Sequence, residues 1–85
     1  MNVDQLHAII LTGLKQIAPA SAVDALGPDD DIRKVLDLDS FDHLNFLIGV
    51  GTQVGIDIPE KDYGKLDTLA KITEYLNAHT ALAAA

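Results

Sequence analysis

The apolar residues of the first segment set the terms for the whole chain. Val3, Leu6, Ile10, Leu14 and Ile17 recur at intervals of three and four, with Ile9 widening the stripe. That spacing marks one face of an α-helix, and no stretch of the chain shows the strict alternation of a half-buried strand. A helix with one apolar stripe needs that stripe covered, so the rest of the chain must supply matching helices. Asn2 suits the N-cap, Asp4 suits the first turn and Pro19 stops the pattern, which predicts a first helix near residues 3–17. With 85 residues the chain has room for one small domain and not for two.

Residues 18–38 carry breaker clusters at Ala18-Pro19-Ala20-Ser21 and Gly27-Pro28-Asp29-Asp30-Asp31, and are expected to form a long first loop with one turn of helix. Val23, Leu26, Ile32, Val35, Leu36 and Leu38 can anchor that loop on the core. A second helix should begin at Asp39-Ser40. In it Leu44, Leu47, Ile48 and Val54 share a broad face with Val50 beside it, while Phe41, His43 and Asn45 tend outward. Gly55 suits the helix end, whereas Gly49 and Gly51 each cost about 1 kcal/mol inside a helix and need another reason. Ile56-Asp57-Ile58-Pro59 should be extended, because a residue before proline avoids the helical region. A short helix from Glu60 to Lys65 follows, then a last helix capped by Asp67 and carrying Leu69, Ile72, Tyr75 and Leu76. After Asn77 the pattern dissolves, so residues 1–77 are expected to form the domain and 78–85 a flexible C-terminal tail. The sum is an all-α fold: a small bundle of three main helices plus one short helix, with a long first loop.

Thirteen acids against six bases give a net charge of −7. Nucleic-acid binding is disfavoured, since phosphate attraction needs clustered Lys and Arg. No apolar run is long enough to cross a bilayer, and no secretory signal is visible, which suits a cytoplasmic protein without membrane insertion. The sequence has no cysteine, so any thiol chemistry must come from a cofactor. It shows no oligomer interface, and a monomer is expected.

The stretch richest in chemistry is Leu38-Asp39-Ser40-Phe41-Asp42. A serine before a helix is commonly no more than an N-cap, and either Asp39 or Ser40 can fill that role. The other candidates are poorer. His7, His43 and His79 fall on different elements and suit solvated side chains better than a metal site. Ser40 with His43 lacks an orienting acid and an oxyanion device, so no catalytic residue is assigned. Gly49-Val50-Gly51-Thr52-Gln53-Val54-Gly55 lacks the dinucleotide spacing and follows no strand. The run Asp29-Asp30-Asp31 lacks calcium-loop spacing and reads as a solvated loop. Tyr63 and Tyr75 suit the core or its rim.

In its context, Asp39-Ser40-Phe41-Asp42 resembles the Asp-Ser-Leu-Asp signature of acyl carrier proteins. The tetrad opens an amphipathic helix in a small acidic chain, Ile58-Pro59 follows at the family's spacing, and Asp67-Thr68-Leu69 begins a last helix where the family has one. The likeness runs from the first helix to about Asn77. It implies an acyl-carrier-type bundle in which Ser40 carries 4′-phosphopantetheine, transferred from coenzyme A by a phosphopantetheinyl transferase using magnesium. The arm's thiol would hold acyl groups as thioesters for acyl-loading and acyl-processing enzymes of fatty-acid, lipid or polyketide-type synthesis. On this reading the protein is a non-catalytic carrier.

The resemblance also assigns Asp39, Phe41 and Asp42 to partner docking, with the acids equally suited to the helix dipole. Leu44, Ile48, Gly49, Ile58 and Leu66 become candidates for an acyl groove, although each could be ordinary core. Two departures stand out. Phe41 replaces the usual leucine, and Asn45, Gly51 and Thr52 occupy positions where fatty-acid-synthesis members carry glutamates. They point to a specialised freestanding carrier with a more apolar docking face. The alternatives are a peptidyl or D-alanyl carrier, or an unmodified interaction module with the same fold.

Overall fold

Asn2 opens the first helix with a reciprocal pair of hydrogen bonds. Its side chain accepts from the Gln5 backbone N–H at 2.8 Å, and the Gln5 side chain accepts from the Asn2 N–H at 3.0 Å. The computed structural model describes the backbone of residues 2–84 and the side chains of residues 2–79. Within it this cap launches α1, Val3–Lys15, and Leu6, Ile10 and Leu14 form its fully buried stripe. The expected helix is two residues too long at its C-terminus, because the backbone has left the helix by Ile17, whose side chain is exposed.

The predicted first loop contains two short helices, α2 (Ala20–Asp24) and α3 (Ile32–Val35). Asp31 caps α3, its carboxylate accepting from the N–H groups of Arg33 and Lys34 at 3.0 and 3.3 Å. Asp30 accepts from the Gly27 N–H at 2.8 Å, so two of the three consecutive aspartates have local structural partners. Val23, Leu26, Ile32, Leu36 and Leu38 are buried and pin the segment to the core, whereas Val35 faces out. Two backbone bonds tie it to the far end of the chain: Ile32 N–H donates to Asp67 C=O at 2.9 Å, and Ala70 N–H donates to Pro28 C=O at 3.0 Å.

Next comes α4, Ser40–Val54, a 3-10 helix over Glu60–Lys65, and α5, Leu69–Ala84. Among the described residues the structure is wholly helical, and its main contacts join α1 to both α4 and α5. Leu47 and Val50 of α4 and Ile72 and Leu76 of α5 meet the α1 stripe. Each such side chain contributes about 1.5–3 kcal/mol of transfer free energy. Gly13 lets α1 approach α4, since a Cβ there would lie 3.2 Å from the Phe46 ring. No helix is long and apolar enough to cross a membrane among the described residues.

The end of α4 explains one of its two unexplained glycines. Gly55 adopts a left-handed backbone with φ of 82°. The Ile56 N–H then bonds to Gly51 C=O at 2.8 Å and the Gly55 N–H to Thr52 C=O at 3.3 Å, the paired bonds of a Schellman turn. This folds the chain back over Gly51, where an added Cβ would sit 2.7 Å from the Ile56 carbonyl oxygen. Gly49 has open space around it and no such requirement.

Two sequence expectations need correction. The cap of α5 is Thr68 and not Asp67: the Thr68 hydroxyl accepts from the Lys71 N–H at 3.1 Å, while the Asp67 carboxylate takes the Lys71 ammonium at 3.0 Å. Across the segment expected as a flexible tail, 78–85, α5 continues through Ala84; Ala85, and side chains from Thr80 onward, lie outside the described residues. In α4 the inward face is rotated, so that His43 and Phe46 are buried while Ile48 is 48 % exposed.

Candidate functional site

The helix cap before α4 belongs to Asp39. Its backbone is extended, and its carboxylate accepts from the Asp42 N–H at 2.8 Å. Ser40 is therefore the first residue inside the helix. It is exposed, and among the described residues its hydroxyl makes no hydrogen bond and is not needed to hold the helix end. Beside it Phe41 is 72 % exposed, an unusual position for a large aromatic ring. Asp42 is half-buried in the first turn, where its charge complements the helix dipole.

Ser40 opens onto an open cleft of about 870 Å³. One wall comes from the α3 region with Asp31, Arg33, Lys34, Asp37 and Leu38. The rest of the lining comes from α4 with Ser40, Phe41, His43 and Leu44, and from the segment Glu60 to Asp67 with Glu60, Tyr63, Gly64 and Asp67. Asp37, three residues before the serine, has φ of 53°. It is the one non-glycine residue in the left-handed region among the described residues, and aspartate tolerates that conformation better than most side chains. The turn lets Leu38 bury its side chain and bond its N–H to Arg33 C=O at 2.9 Å before the chain enters α4.

His43 lies inside. Its Nε2 is 2.9 Å from Leu66 C=O, which fixes Nε2 as the donating nitrogen and ties α4 to the segment before α5. That engagement gives His43 a structural partner other than Ser40. The hydrogen bond from Lys71 holds the Asp67 carboxyl below the ordinary carboxylate value, more than offsetting the opposing effect of burial. Tyr75 donates from its hydroxyl to Asp62 of the 3-10 helix at 2.9 Å; burial and then this bond push its phenol up to about 12. Among the described residues no group of three or more His, Cys, Asp or Glu side chains could hold a metal ion.

The predicted site residues separate into distinct places. Ser40, Phe41 and Leu44 share the cleft, with Asp39 and Asp42 at its helix end. Ile58 and Leu66 are core residues, 6 % and 2 % exposed. Ile48 points to solvent, and Gly49 lies on a different, smaller pocket of about 200 Å³ between α1 and α4 with Ile9, Gly13 and Phe46. The five groove candidates thus line no common cavity. Among the positions set against an acidic stripe, Asn45 and Thr52 are exposed but Gly51 is buried under the turn that ends α4.

Sequence reasoning missed most of the cleft lining, including Arg33, Lys34 and Asp37. Arg33 and Lys34 carried a signal as an adjacent cation pair just upstream of the serine, and Asp37 carried one as an aspartate next to a helix start. No protein-family model matches the chain, and no characterised protein matches it.

Proposed function

We propose that this chain is a carrier protein of the acyl carrier type, which holds acyl groups on a 4′-phosphopantetheine arm at Ser40. The observation that carries the reading is the division of labour at the start of α4: Asp39 caps the helix, leaving the exposed Ser40 hydroxyl without a structural task. A hydroxyl used as a cap would be tied to the backbone; this one is open to an approaching enzyme. The α4 N-terminus and its unpaired N–H groups favour an anion beside it. The cleft gives room for the first atoms of an attached arm.

In the loading step the Ser40 hydroxyl oxygen forms a bond to the phosphorus that bears the pantetheine portion of coenzyme A. The phosphoanhydride bond breaks, the adenosine bisphosphate portion leaves, and the hydroxyl proton passes to a base of the transferase. Once bound, the group supplies a thiol on which acyl groups ride as thioesters. The residues of this chain present and orient the attachment point. Phe41, Asp39 and Asp42 surround it as an apolar contact flanked by two negative charges, suited to a basic partner surface with an apolar recess. Asn45 and Thr52 leave the next turns of α4 uncharged, which favours a specialised client pathway over one built on an acidic docking stripe.

Co-expression with a broad-specificity phosphopantetheinyl transferase, followed by intact-mass measurement, tests the proposal. The expected result is a gain of one phosphopantetheine in the wild type and none in Ser40→Ala. A wild-type protein that stays unmodified would favour the interaction-module reading. Loading assays with acyl-carrier enzymes and with amino-acid-adenylating enzymes then separate acyl from peptidyl or D-alanyl carriage.

A further inference from the structure

The chain is acidic, yet two of its six cations stand without a carboxylate partner next to Ser40. Lys15, Lys65 and Lys71 pair with Asp24, Asp62 and Asp67 at 2.9, 3.6 and 3.0 Å. Arg33 and Lys34 make no ion pair among the described residues, although both line the cleft that Ser40 opens onto. Two of the four carboxylates that line the same cleft are engaged elsewhere. Asp31 spends its charge on the N–H groups that begin α3, and Asp67 is held by Lys71.

We infer that Arg33 and Lys34 form the counter-charge for a phosphodiester attached to Ser40, drawing the first part of the arm along the α3 wall of the cleft. This rests on the carrier reading and adds a binding role for two residues that the resemblance does not assign. A phosphodiester keeps its single negative charge across the physiological range, so it needs a permanent cation, which a guanidinium and an ammonium provide. Asp37 and Glu60 also line the cleft and weaken its attraction for any anion, tethered or free. A phosphate tethered at Ser40 has a high effective concentration in the cleft and needs only modest attraction to be held there. The pair therefore selects for a covalently attached phosphate over free phosphate.

The test compares wild type with Arg33→Gln/Lys34→Gln, each as apo and as arm-bearing protein confirmed by mass. Both residues are exposed, so the substitutions leave the core intact. Attachment of the arm should shift the Arg33 Nε–H signal in the NMR spectrum of the wild type, and the shift should shrink as salt is raised, because the Debye length falls from about 10 Å at 0.1 M to about 3 Å at 1 M. Attachment should also lower Tm more in the double variant than in the wild type, by about 2–16 °C, the range expected for two exposed charge pairs in a domain of this size. An unmoved Arg33 signal together with equal Tm changes in both proteins overturns the inference. So does an apo protein in which inorganic phosphate alone moves the same signal as far as the arm does, since the site would then serve free anions. A wild type that takes no arm at all counts against the carrier reading itself, and the mass measurement separates that failure from the others.

Discussion

Two glycines two residues apart in α4 should respond to the same substitution differently. In Gly49→Ala the new methyl meets nothing within 4 Å, and the backbone is already helical. The change removes conformational freedom from the unfolded chain and supplies helix propensity, a gain of about 0.5–1 kcal/mol. For a domain of this size that raises Tm by about 2–8 °C. In Gly51→Ala the same intrinsic gain is available, but the methyl lands 2.7 Å from the Ile56 carbonyl oxygen. That oxygen belongs to backbone and cannot swing aside as a side-chain tip would. The Ile56 N–H is fastened to Gly51 C=O at 2.8 Å, so relieving the clash means loosening the Schellman turn. Overpacking of this kind costs about 1–3 kcal/mol, which, set against that gain, leaves Gly51→Ala destabilised by up to about 2.5 kcal/mol. Urea unfolding followed by far-UV circular dichroism measures both variants, with an unchanged m-value as the check that only stability moved. If Gly51→Ala proved as stabilising as Gly49→Ala, the turn after α4 would not press on Gly51, and close backbone approach could not be the reason for that glycine.

Other substitutions probe the site and its supports. His43→Leu keeps the volume but strips the donor from Leu66 C=O, and should cost about 1–3 kcal/mol in chemical denaturation. Asp39→Ala should lose about 1 kcal/mol while Ser40→Ala stays within a few tenths, since only the first is the cap. At Asp37, with its φ of 53°, thermal melts should rank Gly at or above Asp, and Val below by about 1–2 kcal/mol. The Tyr75 phenol is raised in the fold from 10.0 to about 12, so its contribution to stability is fully present below pH 10.0 and is lost as pH rises towards about 12; absorbance titration should place its ionisation there, and Tyr75→Phe should remove that step.

The helices with clean periodicity could be read directly. Leu6, Ile10 and Leu14 announce α1, and the 3-10 helix falls on Glu60–Lys65 as predicted from Pro59 and the residues after it. The misreadings share a physical origin, in that long-range contacts overrode local pattern. His43 looks polar and therefore outward, but a carbonyl 23 residues away supplies the partner that makes its burial possible. Ile48 looks apolar and therefore inward, yet the wheel of α4 is set by Phe46, Leu47 and Val50, which turns Ile48 to solvent. Asp67 and Thr68 are both good caps, and the choice fell to Thr68 because Asp67 has Lys71 within reach and its carbonyl engages Ile32. The serine motif itself was visible, while the cleft beside it was not, because its walls come from segments far apart in the chain.

The two backbone bonds that join Pro28 and Ile32 to Ala70 and Asp67 have a consequence for when the protein becomes competent. Ser40 and its flanking acids are synthesised early, but the wall opposite them is secured only once the start of α5 is in place. A ribosome-bound chain that ends before Leu69 would display the motif without the surface around it. On the proposed carrier reading, an enzyme that recognises the assembled cleft would pass over such a chain, and loading of Ser40 would follow completion of the fold and mark the molecules that have finished it.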